Sequence, residues 1–351
     1  MSTVPGAPNQ RAAVLSGLRA LADAGLLRQL DWALAQFIAE HDPEAAPELL
    51  VATALLAHFE GQGHSCLPLG GLRDRLLQLP GWSTAGQETL AALVQSLSPS
   101  SADWLAAVRS SRCVQAAQAA DTGAPLVLGG SPAAPLLYLR RYWNFEQQVA
   151  QGLRARAAPP LDVDEERVRA WLDRLFDPLP AGGCDWQKFA CAIALRSRLT
   201  IVTGGPGTGK TYTAARLLAA LLAVDSAPER LRVALAAPTG KAAARLRQSL
   251  ETALAGLQTR VGDALDLGAF AARIGPARTL HALLGARPGT RRLRHHAAAP
   301  LDVDLLIVDE ASMVHLEMMA SLLAALPDHA RLVLLGDKDQ LASVEAGAVL
   351  G

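Results

Sequence analysis

The sequence predicts an α/β protein in which a helical N-terminal domain precedes a domain built on a parallel sheet. Up to about residue 120, apolar residues recur at helical spacing between short breaks rich in Gly, Pro and Ser. From residue 198 onward, apolar runs of five or six residues alternate with helical patterns. Strands of that kind are buried on both faces, which requires a parallel sheet with helices on each side. A chain of 351 residues, half of them hydrophobic, is long enough to bury two cores.

Taken in order, "RAAVLSGLRALADAGLLRQLDWALAQFIAEH" sets Leu15, Leu18, Leu21, Leu26, Leu27 and Leu30 near helical spacing. "PELLVATALLAHFEGQG" repeats the pattern and stops at Gly61 and Gly63, and "ETLAALVQSL" and "DWLAAVRSS" give shorter helices. "APLVLGG" and "APLLYLRRYWNFEQQVAQGLRAR" read as a strand pair running into a helix, and "LDVDEERVRAWLDRLF" as another helix. The later strands are "RLTIVTG", "RVALAAP", "DLLIVDE" and "RLVLLGD". The expected domains are therefore 1–120, helical; 121–165, a connecting strand and helix segment; and 166–351, with a basic insert at about 267–301.

Lys plus Arg and Asp plus Glu both number 33, so net charge neither favours nor excludes a polyanionic partner and local charge must decide. Cys66, Cys113, Cys184 and Cys191 form no CxxC pair and have no histidine at zinc-finger spacing, so free thiols in a reducing compartment are expected. No signal-like N-terminus is present, and no apolar run reaches the roughly 18 residues of a membrane span. The expectation is a soluble, cytoplasmic protein with no membrane contact. His58 and His64 are isolated and read as ordinary core or surface residues.

The strongest chemical signal is "GGPGTGKT". Gly204, Gly205, Pro206, Gly207, Thr208, Gly209, Lys210 and Thr211 match G-x-x-x-x-G-K-[ST] in full, straight after a strand and straight before a helix. Glycines let the backbone turn so that its N–H groups surround a β-phosphate. Lys210 then supplies a cation to the β and γ oxygens, and Thr211 a hydroxyl to Mg²⁺. "LLIVDEAS" delivers Asp309 to the end of a buried strand, where it is placed to hold Mg²⁺ through water, with Glu310 next to it as general base. Gln187, 23 residues ahead of Lys210, carries an amide that can read an adenine edge. Thr239, Gly240 and Lys241 sit at a strand-to-helix corner suited to a backbone phosphate. Residues 267–301 hold Arg273, Arg278, Arg287, Arg291, Arg292 and Arg294 and no acid, and "TLHALLG", with Thr279 and His281, lies among them. A one-sign segment in a neutral chain points to a polyanion.

In this order the motifs resemble the first half of a superfamily 1 DNA helicase motor. "TLHALLG", "VDEASM" and "GDKDQLASVEAGAVLG", with "GQGHSCLPL" and "PLLYLRRYWNFEQQVA", resemble the RecD family of RecBCD subunits in particular. The resemblance implies a RecA-like P-loop domain that uses ATP and Mg²⁺. It implies that Lys210, Thr211, Asp309 and Glu310 act on the phosphates, the metal and the attacking water, and that Gln187 contacts adenine. It gives Thr239, Gly240, Lys241, Thr279 and His281 to single-stranded DNA. Gly336 and Asp337 would form the turn that aims Gln340 at the γ-phosphate. It further implies 5′→3′ movement on DNA ends within a RecB and RecC complex, with the helical domain docking on RecC. The family continues into a second RecA-like domain that this sequence lacks, so a chain that binds nucleotide but hydrolyses it barely is expected. A stand-alone RecD-like helicase and a non-motor RecC-binding module are the competing readings. No helix-hairpin-helix signature in residues 1–130 supports the first of these.

Overall fold

The computed structural model describes residues 8–72, 84–157, 160–178, 183–287, 289–290, 292–337, 339–340 and 346–349. The chain forms two compact units, the first Met1–Phe145 with Val344–Gly347 and the second Glu146–Ser343 with Ala348–Gly351.

The first unit begins with three helices, α1 (Pro8–Asp23), α2 (Gln29–His41) and α3 (Pro47–Glu60). The long leading helical pattern is broken between α1 and α2, where Gly25 takes φ 74° at a turn. That break turns Leu30 outward, 62% exposed, whereas Leu18 and Leu21 are buried as the periodicity predicts. α3 is buried on every side from Leu49 to Ala57, which makes it the centre of this core. Asp31 is fully buried, and burial alone would raise its pKa. Hydrogen bonds from His58 and Arg28 outweigh that and hold it below the usual carboxylate range. His58 is thus a packed structural histidine, as its sequence context suggested.

Beyond α3 come β1 (Cys66–Pro68), α4 (Thr84–Gln95), α5 (Ser101–Ser110), β2 (Val114–Ala116), β3 (Leu126–Ser131) and β4 (Ala134–Leu139). The strands form one sheet in the order β1-β4-β3-β2. The strand pair expected in a separate connecting segment over 121–165 therefore belongs to the first unit, because β4 pairs with β1 and β3 with β2. Two of these four strands have three residues each, too short to show a period of two. Helix α6 (Arg140–Ala157) follows directly from β4, as the sequence predicts.

The second unit continues with α7 (Glu165–Leu175), α8 (Trp186–Leu195), β5 (Leu199–Thr203), α9 (Lys210–Val224), β6 (Val233–Ala237) and α10 (Gly240–Val261). Then come α11 (Leu267–Arg273), β7 (Arg278–Thr279), α12 (Leu280–Leu284), β8 (Leu305–Val308), α13 (Leu316–Ala325) and β9 (Arg331–Gly336). The sheet order is β5-β9-β8-β6-β7, and every pair is parallel. β8 is fully buried along its length, and each such side chain contributes about 1.5–3 kcal/mol by leaving water. Among the described residues, no helix is long and apolar enough to cross a membrane.

Arginine has a structural use here that composition does not reveal. Arg216 Nε donates to the Leu175 carbonyl at 2.9 Å, Arg331 Nη1 to Leu195 at 2.6 Å and Arg174 Nη2 to Val261 at 2.6 Å. Arg156 Nη2 donates to Leu326 at 2.6 Å. Each satisfies carbonyls at the end of a helix, where the macrodipole also favours a cation. Burial lowers the pKa of Arg156, Arg216 and Arg331, the cost of placing these cations inside.

Candidate nucleotide site and sheet rim

Because all five strands of the second sheet are parallel, their C-terminal ends lie on one rim, and the candidate residues follow the strand order along it. β5 leads into the glycine-rich loop, β9 into Asp337, β8 into Asp309 and Glu310, β6 into Thr239, and β7 ends at Thr279. Ligands bind at this edge in open α/β sheets.

The glycine-rich loop is held by its own residues. Lys210 Nζ donates to the carbonyls of Gly204 at 2.6 Å and Gly205 at 3.0 Å. Thr208 Oγ1 donates to the Gly205 carbonyl at 2.9 Å. Gly209 is the N-cap of α9 with φ 84°, in the left-handed region, and its N–H side of the loop opens onto a 15-residue helix. A Cβ on Gly209 would meet Gln187 Nε2 at 2.5 Å, and one on Gly204 would meet Thr208 Oγ1 at 2.5 Å. Such a cradle, too tight for side chains and topped by a cation, fits a phosphate chain. Gly209→Ala should cost about 1 kcal/mol through its positive φ alone. Thermal unfolding of the variant, with the wild type beside it, measures this, and an unchanged midpoint would contradict the strained geometry.

Gln187 is placed by a well-formed helix start. Asp185 caps α8, accepting the N–H groups of Gln187 at 2.9 Å and Lys188 at 3.0 Å. The Gln187 amide then donates to the Thr208 carbonyl at 3.0 Å, so the residue reaches the phosphate loop as well as flanking it. Behind the loop, Cys191 Sγ donates to the Thr213 carbonyl at 3.4 Å, and burial pushes its thiol up to about 12. It is therefore an inert packing thiol, and none of the four cysteines is in a disulfide.

Asp309 is half-buried, and burial raises its pKa. The Glu310 N–H, which its Oδ1 accepts at 2.9 Å, opposes that rise, as do the charges of Lys210 and then Arg245. A carboxylate held in this way, with the charges of two cations acting on it, fits a hydrated divalent ion. Among the described residues, Glu310 is the one non-glycine with positive φ, at 52°. That conformation costs on the order of 1–3 kcal/mol, and its position beside Asp309 is the kind of place where such strain is retained. Asp337 is buried, and its Oδ1 accepts the Asp339 N–H at 3.0 Å while its carbonyl accepts the Gln340 N–H at 3.3 Å. The turn that carries Gln340 is thus present, and Asp337 Oδ2 lies 3.9 Å from the Cβ position of Gly205. Gln340 itself is exposed. Lys338 and residues 341–345 of this motif lie outside the described residues.

At the other end of the rim, Thr239 and Thr279 each cap a helix. Thr239 Oγ1 accepts the Ala242 N–H at 3.2 Å, and Thr279 Oγ1 accepts the Ala282 N–H at 3.1 Å. Pairing of β6 with β7 sets Ala237 opposite Thr279, which brings the two caps together. Gly240, Lys241, Arg245, Arg278 and His281 are exposed around them, as are Arg287, Arg292 and Arg294. The basic stretch is less uniform than its sequence. Leu267, Phe270 and Ile274 are buried, so its first part is core helix and not an insert, and Arg291 lies outside the described residues. Arg273 donates to the Glu229 carbonyl at 2.6 Å and the Pro228 carbonyl at 3.0 Å, and so is used to hold the fold.

Sequence reasoning missed Arg245, one turn beyond Lys241, whose charge acts on Asp309. The i, i+4 spacing of Lys241 and Arg245 was a signal for it. A cavity of about 530 Å³ between α7 and α8 is lined by Val168, Leu172, Phe189 and Ala192, among others, and by none of residues 204–211. The nucleotide candidates form an open rim instead.

Comparison with known proteins accounts for most of the chain. Residues 23–132 match the family model described as RecBCD enzyme subunit RecD, N-terminal domain, and residues 187–346 match the AAA domain. RecBCD enzyme subunit RecD of Mycolicibacterium smegmatis is 44% identical over 318 residues, 88% of this chain and 49% of that protein. The subunit of the same name from Haemophilus influenzae is 36% identical over 96% of this chain and 53% of its own length. ATP-dependent RecD2 DNA helicase of Deinococcus radiodurans is 43% identical over 155 residues, 44% of this chain and 17% of that protein. The chain spans about half the length of the RecD relatives it matches. The chain thus carries a stretch that matches the RecD N-terminal model, then one that matches an AAA domain on a parallel sheet, and it resembles RecD subunits over the half of their length that it spans.

Proposed function

We propose that this chain carries the ATP-binding part of a RecD-type DNA helicase subunit that works in a RecBCD-like assembly on DNA ends during recombinational repair. The observation that carries this reading is the rim order: phosphate loop, Asp337 turn, acidic pair and two threonine-capped basic corners on consecutive strands of one parallel sheet. Lys210 and the backbone N–H groups of residues 204–209 would hold the triphosphate, and Thr211 and Asp309 would hold Mg²⁺. Mg²⁺ supplies Lewis-acid stabilisation of charge on the transferring phosphoryl group. Glu310 takes the proton of the attacking water, and Gln340 registers the γ-phosphate on the turn set by Asp337. Thr239, Gly240, Lys241, Thr279 and His281 receive the single-stranded backbone, with movement 5′→3′. The match of residues 23–132 to the model described as the N-terminal domain of RecBCD enzyme subunit RecD supports docking to RecB and RecC over a stand-alone helicase.

The test is fluorescence anisotropy of labelled single-stranded DNA over a salt series, with Lys241→Ala and Arg278→Ala. Each variant should weaken binding uniformly across sequences and reduce the salt slope by about one. Wild-type affinity and slope in both variants would sink the DNA assignment of this corner.

A further inference from the structure

Helix α10 opens on the nucleic-acid corner, and its exposed face carries two cations four residues apart, Lys241 and Arg245. That spacing makes them neighbours on the helix surface. Long helical side chains lean toward the N-terminus of their helix, so Arg245 is directed back over Lys241 and toward the sheet rim. The inner face of the same turns is taken up in packing through Ala243, Leu246 and Leu250. Other arginines nearby are taken up as well. Arg247 Nη1 donates to the Ile274 carbonyl at 2.6 Å and its Nε to Glu251 at 2.6 Å, and Arg273 holds two carbonyls as described above. Among the described residues, Arg245 has no hydrogen-bond or ion-pair partner.

Its charge reaches the other half of the rim. β6 and β8 are neighbours, with Ala236 opposite Val308, and the Asp309 N–H donates to the Ala236 carbonyl at 2.9 Å. The carboxylate that would hold Mg²⁺ thus leaves β8 beside the strand end that carries α10 three residues later. Lys210 and Arg245 are the two cations whose charges act on Asp309. Lys210 belongs to the phosphate loop, so Arg245 is the contribution from the nucleic-acid side. A cation near a carboxylate competes with a divalent ion for it. A phosphate offers a guanidinium a closer partner, because the two pair through parallel hydrogen bonds.

We propose that Arg245 is a positioning residue shared by the two ends of the rim: a backbone phosphate seated at Thr239, Gly240 and Lys241 draws its guanidinium from Asp309 and so strengthens the hold of that carboxylate on a divalent ion. The proposal rests on the nucleotide and nucleic-acid readings of the rim. It gives the coupling between the two ligands a positive sign and makes it depend on the metal. By linkage, the metal-bound nucleotide tightens the nucleic acid by the same factor.

The test is calorimetric titration of the 351-residue chain with Mg·ADP, which leaves no terminal phosphate to hydrolyse, with and without a saturating thymidine oligonucleotide. The oligonucleotide should tighten Mg·ADP by about fivefold in the wild type, the low end of ordinary coupling, and leave ADP in EDTA unchanged. Arg245→Ala should bring that ratio to about one, and Arg245→Lys, which keeps the charge, should retain about half of it. The full wild-type ratio in Arg245→Ala would overturn the proposal, even if that variant bound the oligonucleotide more weakly. The same ratio for ADP in EDTA would overturn it too, because the coupling would then bypass the metal. A ratio of one in the wild type would leave no coupling for Arg245 to carry. A wild-type chain that binds no Mg·ADP, or no oligonucleotide, would overturn the reading of that end of the rim, a result distinct from all of these.

Discussion

Replacing Lys210 with glutamine is expected to weaken Mg·ATP binding by about 100-fold while leaving the thermal midpoint within a few degrees of wild type. The magnitude follows from the contacts the ammonium makes. Its Nζ is 2.6 Å and 3.0 Å from two loop carbonyls, so it already sits over the cradle where a triphosphate would bind. A hydrogen bond to a charged group is worth about 1.5–3 kcal/mol, and each 1.4 kcal/mol is tenfold in affinity. Glutamine keeps most of the length and loses the charge. The fold should not depend on it, because both partners are carbonyls of the glycine-rich loop itself, which no other part of the fold needs the ammonium to hold. Calorimetric titration together with differential scanning calorimetry makes the comparison. Wild-type affinity in Lys210→Gln would remove the phosphate loop from the functional site.

For Glu310, two substitutions should separate two roles. Glu310→Gln is expected to lower single-turnover ATP hydrolysis by about 10²–10⁴ and to leave ATP binding intact, the signature of a lost general base. Glu310→Gly should lose hydrolysis to the same extent and gain about 1 kcal/mol of stability, because glycine adopts a φ of 52° without the side-chain penalty. The net gain is the strain relieved less the backbone entropy of the added glycine. Hydrolysis at the wild-type rate in Glu310→Gln would dismiss the carboxylate as the base. A glycine variant less stable than wild type would show that the conformation is not strained.

Much of this was legible in the residues. The phosphate loop, the acidic pair after β8 and the four long core strands carry local signatures, because a buried parallel strand must be apolar throughout and a loop around phosphate must contain glycine. Three features were not legible, each for a physical reason. Strands of two or three residues such as β1, β2 and β7 carry no periodicity of their own, and β1 and β7 are held by partners far away in the chain. The exposure of Leu30 depends on the turn at Gly25, which redirects a helical face that spacing alone would continue. Arg273 takes its structural role from the Glu229 and Pro228 carbonyls, 44 and 45 residues away, and spacing along one helix contains no such information. Gln187 was legible by position, but its bond to the Thr208 carbonyl, which ties it to the loop itself, was not.

The order of strands along the rim also fixes a length. Neighbouring strands are about 4.8 Å apart, so the three steps from β5 to β6 span roughly 14 Å and the four to β7 roughly 19 Å. The Debye length at physiological ionic strength is about 8 Å. Two polyanions, a nucleotide at one end and a nucleic-acid backbone at the other, can therefore occupy one edge of the same sheet with most of their mutual repulsion screened. A dependence of one ligand's affinity on the other that persists in high salt would then be mechanical, and the hydrogen-bond ladders of β9, β8 and β6 are the most direct connection between the two ends.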